Sequence, residues 1–107
     1  MLHKIETRRK TLAQRTGELA EKDGTASASD VRGIEQEAWE LMLEIRNYRR
    51  ERQDGMLPQE TRAQNFQTLQ QASNALSELQ KRHPSLVAEC VRVRENLRVL
   101  MEPLARG

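Results

Sequence analysis

Between positions 31 and 52 the apolar residues recur at intervals of three and four: Val31, Ile34, Ala38, Leu41, Ile45 and Tyr48. An α-helix turns once every 3.6 residues, so this spacing gathers all six on one stripe, the form of a seam that packs against other helices. Two further apolar residues of the same stretch, Trp39 and Leu43, do not belong to that stripe. At 100° per residue from Leu41, Ile34, Ala38, Ile45 and Tyr48 lie within about 60°, whereas Trp39 and Leu43 fall near 160° on either side. The stretch therefore predicts a helix with a core-facing seam and an apolar residue pair pointing away from it.

The rest of the chain can be read around this helix. Before it, about 2–22, Ile5, Leu12 and Leu19 stand seven apart with Arg8, Arg15 and Lys22 beside them. Three apolar residues make a thin seam, so this first helix should depend on the remainder of the fold. A small polar run containing Gly24 separates it from the second helix, about 30–53, for which Ser29 or Asp30 would serve as the cap. Acids come early in the second helix and arginines late, the order that suits its dipole. Asp54, Gly55, Met56, Leu57 and Pro58 end it, with Gly55 at a C′-type position and Pro58 opening the third helix. That helix, about 58–82, carries Phe66, Leu69, Ala72, Ser73, Leu76 and Leu79 on its seam and many glutamines outside. His83 and Pro84 break the chain before a fourth helix, about 85–102. There Leu86, Cys90, Val93, Leu97, Leu100 and Leu104 follow a 4-3-4-3-4 spacing, and Pro103 marks the expected fraying end.

Composition supports this all-α reading. Charged residues make up 32% of 107 residues and aromatics only 3%, while good helix formers abound and β-branched residues are sparse. The mean hydropathy of −0.83 would suit disorder, but the regular stripes and a net charge of only +2 favour a folded single domain over 1–107. In an antiparallel pair, residues whose numbers have a constant total face one another. For the first two helices that total is 53, opposing Ile5 to Tyr48, Leu12 to Leu41 and Leu19 to Ile34. A total of 52 opposes Arg8 to Glu44, Arg15 to Glu37 and Lys22 to Asp30. The same arithmetic pairs the second helix with the third, and the third with the fourth. The expected architecture is an antiparallel up-down four-helix bundle with coiled-coil-like seams, in which the second helix packs on both its chain neighbours. The alternative is a three-helix core with the first helix loosely docked or swapped between protomers.

Little in the sequence suggests catalysis. His3 and His83 are isolated, no carboxylate or cysteine cluster has metal-ligand spacing, and no phosphate loop or serine nucleophile motif occurs. Cys90 sits on a seam, as a buried structural thiol would. We therefore expect a non-enzymatic protein without cofactor or metal. A single cysteine, with no apolar run long enough for a membrane span or signal segment, leads to a cytoplasmic expectation without membrane association.

Two surfaces remain as functional candidates. The first is the outer face of the second helix, where Trp39, Leu43, Arg46 and Arg50 combine residue types that anchor protein interfaces. It predicts a protein-binding module (adaptor, assembly factor, chaperone-like cofactor or inhibitor), with homodimerisation one way to cover that face. The second is basic: Arg8, Arg9 and Lys10 with Arg49 and Arg52 would meet at one end of the bundle and offer phosphate contacts. Glu6 and Glu51 interrupt that cluster and no aromatics interleave it, so nucleic-acid association is the alternative.

Overall fold

Four α-helices form close to where the apolar spacing places them: α1 (Leu2–Lys22), α2 (Ala28–Glu51), α3 (Gln59–Arg82) and α4 (Val87–Arg106). Short 3₁₀ turns, Asp23–Thr25 and Pro84–Leu86, join α1 to α2 and α3 to α4. The structure is a computed structural model; it describes residues 2–53 and 55–106, excluding the side chains of Asp23 and Arg106. Among the described residues there is no strand.

The ends of the helices follow local chemistry. α2 begins earlier than expected because Ser27, not Ser29 or Asp30, is its cap. Asp30 acts three residues on: its carboxylate accepts the Ser27 N–H at 2.8 Å and the Lys22 ammonium at 2.6 Å, tying the end of α1 to the start of α2. Arg52 caps the other end of α2, its N–H reaching the Arg49 carbonyl at 3.3 Å. Gly55 lies beyond the cap rather than at C′, and its φ of +65° is the left-handed turn that glycine adopts without a Cβ penalty. Asp54 of the expected turn lies outside the described residues. Pro58 sits just before α3, not within it, and its carbonyl accepts the Arg62 N–H. α4 continues through Pro103 to Arg106, since a proline three residues from a helix end forfeits only one internal hydrogen bond.

Successive helices run in opposite directions, giving the expected up-down-up-down bundle, about four turns longer than wide at 46 × 22 × 18 Å. The order around the bundle differs from expectation. α1 lies beside α2 and α3, and α4 lies beside α3 and α2, while α2 and α3 barely touch across the diagonal. The second helix therefore does not pack on both its chain neighbours; the chain crosses the bundle between residues 52 and 58, and α4 takes the place expected for α3. The charge pairs show the direction of this contact. Arg92 meets Glu35 and Arg32 meets Glu89, in both cases 57 positions apart, so α2 and α4 run parallel. On the far side, Ile5 shares a groove with Asn65 and Leu19 another with Leu79, a constant difference of 60 that makes α1 and α3 parallel too.

The core fills the axis between the helices with every apolar residue expected of the first, second and fourth seams, plus Met101. Ile5, Leu12 and Leu19 are all buried, so α1 is one wall of the bundle and not a loose appendage. The third seam is buried at Leu69, Ala72, Leu76 and Leu79 as expected, but Phe66 and Ser73 are only half-buried. Asn65 and Thr68 are buried there, whereas Phe66 is half-buried against the core edge. The two polar side chains reach back to carbonyls of their own helix, Asn65 Nδ2 to Thr61 at 2.6 Å and Thr68 Oγ1 to Gln64 at 3.0 Å, which lowers the cost of burying them, although the Asn65 Oδ1 is buried without a hydrogen-bond partner.

Candidate protein-binding face

The geometry of α2 divides it between fold and surface. Its seam is wholly buried, while Trp39 and Leu43 remain 54% and 49% exposed on the opposite side. A tryptophan normally hides far more of its area than this, so the fold leaves unspent the largest apolar side chain it possesses. Arg46 and Arg50 are exposed on the same side, about one and two turns beyond Leu43, and neither forms an ion pair among the described residues. Arg32, near the start of the stripe, makes only a loose 3.8 Å contact with Glu89.

The parallel packing of α4 adds residues to this surface that the sequence did not single out. Glu35 and Arg92 form one rung of the outer α2–α4 seam, joined by a two-pronged pair and by an Asn96 amide that also donates to Glu35. The guanidinium beside it holds the Glu35 carboxyl below its ordinary range, and the two carboxylates Glu35 and Glu89 push the Arg92 pKa up. Seven residues further along both helices, the equivalent rung is Met42 and Val99. Met42 is half-buried and Val99 is 55% exposed. Trp39 lies between the two rungs of α2 at helical spacing from Glu35, Met42 and Leu43. The 57-residue register thus sets Val99 of α4 level with Met42, next along α2 from the Trp39 and Leu43 face. The signal that could have found it is the constant difference of 57 between charge partners, which is visible only once α2 and α4 are known to be neighbours.

The basic candidates each have a partner nearby. Arg8 contacts Glu40 at 3.7 Å, and Arg9 and Lys10 share Glu6 at 3.9 and 3.4 Å. Arg49 donates from Nε to the Gly55 carbonyl at 2.8 Å, and the Arg52 guanidinium lies 5.3 Å from the centre of the Tyr48 ring, a cation–π contact. The Arg8–Glu40 contact leaves Arg49 nine positions further along α2, about 13 Å by helical rise. Of the three opposed charge pairs expected between α1 and α2, Lys22–Asp30 forms. Arg8 takes Glu40 instead of Glu44, and Arg15 lies against Gly33 while a buried oxygen of Glu37 has no hydrogen-bond partner. Both arginines are displaced by one helical turn, a shift that seven-residue periodicity cannot specify.

Elsewhere the surface grooves are shallow. The groove between the starts of α1 and α3, about 280 Å³, is edged by Glu6, Arg9, Glu60 and Gln64, and no histidine or cysteine lines it. Among the described residues no group of three or more histidine, cysteine or acidic side chains could hold a metal ion, and no helix is long and apolar enough to cross a membrane. Cys90 is fully buried, and desolvation pushes its thiol pKa up. No protein-family model matches the chain, and no curated protein or solved structure matches it either.

Proposed function

We propose that this protein is a non-enzymatic interaction module, an adaptor, assembly factor, chaperone-like cofactor or inhibitor, that binds a protein partner through the outer face of α2. The supporting observation is the half-exposed Trp39 beside Leu43, flanked by arginines that the bundle does not use. Burying a tryptophan and its apolar neighbours, with arginines at the rim, is the arrangement from which binding hot spots are made. Rigid placement helps: both anchors ride on a helix whose other side is locked into the core, so little conformational entropy remains to be lost on binding. A cytoplasmic setting goes with this reading, given a free thiol kept buried and reduced.

The test is Trp39→Ala in a capture experiment from the native host. The variant should keep its helical circular dichroism and lose less than about 0.5 kcal/mol of stability, as surface substitutions do. It should no longer capture the proteins that the unaltered chain retains. Undiminished capture, or collapse of the variant's fold, would refute the assignment.

A further inference from the structure

Along its outward stripe α2 presents Arg32, Gln36, Trp39, Leu43, Arg46 and Arg50. The stripe holds three cations and no acid. Of the neighbouring carboxylates, Glu40 turns toward Arg8 of α1 and Glu35 toward Arg92 of α4, while Glu89 of α4 holds Arg92 at 2.6 Å and reaches Arg32 only loosely, at 3.8 Å, leaving Arg46 and Arg50 without an acid. An apolar centre with like charges at both ends limits what can lie on it.

A second copy fits poorly. Two α2 helices related by a twofold axis can cross antiparallel, with Trp39 of one over Leu43 of the other. Arg32 then meets Arg50 of the second copy at both ends. Crossing them parallel sets each arginine against its own equivalent. Either way cations face cations as water is excluded, where such repulsion costs most. We infer that the occupant is instead an acidic amphipathic helix of another protein, its apolar side over Trp39, Leu43 and Val99 and its carboxylates against Arg46 and Arg50. This rests on the reading of the α2 face as the contact surface. From Arg32 to Arg50 the stripe is about 27 Å long by helical rise, so a helix of roughly 18 residues would cover it.

The lone tryptophan makes the test direct, because all tryptophan emission comes from Trp39. Two synthetic 18-residue helical peptides share leucines at i, i+3 and i+7. One carries glutamates beside them, the other lysines. Titrated into the full chain, the glutamate peptide should shift Trp39 emission to the blue, and the lysine peptide should not. Added salt should weaken the effect. Arg46→Glu with Arg50→Glu should weaken the glutamate peptide about tenfold or more and admit the lysine peptide. Equal binding of both peptides at Trp39 would overturn the acidic partner while leaving the contact surface standing. If neither peptide binds and sedimentation finds a dimer that Trp39→Ala dissociates, the occupant is a second copy. If neither binds and the chain is monomeric, the surface itself has been misassigned.

Discussion

Arg92 of α4 grips Glu35 of the parallel helix α2 with both prongs of its guanidinium, Nη1 to Oε2 at 2.9 Å and Nη2 to Oε1 at 3.0 Å. Glu89 holds the same guanidinium from within α4 at 2.6 Å, and Arg32 approaches Glu89 from α2. This network joins two helices that no short turn connects. The same register, 57 positions, sets Val99 of α4 level with Met42 of α2.

Glu35→Gln and Arg92→Ala should each lower the thermal midpoint, and the double variant should lose less than the two single losses combined. Such non-additivity, read in a double-mutant cycle, is the signature of a direct pair. The coupling should shrink as salt is raised, because Arg92 is exposed. Strict additivity would mean that the fork contributes nothing to the α2–α4 contact.

Leu12 is fully buried at the middle of α1, the helix with the fewest core residues. Leu12→Ala should cost about 2–5 kcal/mol in denaturant unfolding, the range for emptying a closed core site. A cost below about 1 kcal/mol would instead describe a first helix only loosely attached to the other three.

Acid should weaken the bundle through two carboxylates. Lys22 and the Ser27 amide hold the Asp30 pKa below its ordinary 3.8, and Arg92 and Asn96 hold that of Glu35 below 4.5. Both groups bind protons more weakly folded than unfolded. Their stabilisation is complete above the ordinary carboxylate range and is lost as pH falls through it toward the lowered folded values. Thermal midpoints measured from pH 7 down to pH 2 should therefore fall across the acid limb. Asp30→Asn combined with Glu35→Gln should flatten that fall; an unchanged slope would assign the acid sensitivity to other groups.

Cys90 offers a probe of core integrity. Its burial and raised pKa leave almost no thiolate within reach of solvent. A disulfide reagent at pH 8 should label it only at the rate of opening or unfolding, and immediately in denaturant. Rapid labelling of the native chain would show that α4 does not stay closed over it.

What the sequence determined by itself is the set of helices and the side of each that is buried. The 3-4 spacing of Val31, Ile34, Ala38, Leu41, Ile45 and Tyr48 leaves a helix only one way to hide its apolar area, and the structure buries all six. The same logic placed Trp39 and Leu43 on the outside. It failed at Asn65, because hydropathy cannot see that an amide hydrogen-bonded to its own helix can enter a core that half excludes Phe66. The tertiary structure alone decided which helices are neighbours. A seam at the bundle axis meets every other seam, and seven-spaced residues satisfy the register arithmetic against any partner. Contacts off the axis, such as Arg92 on Glu35, accompany the choice of α4 over α3 as the companion of α2. That choice, set by packing and charge in three dimensions, is what brings Val99 level with Met42, next along α2 from the Trp39 surface.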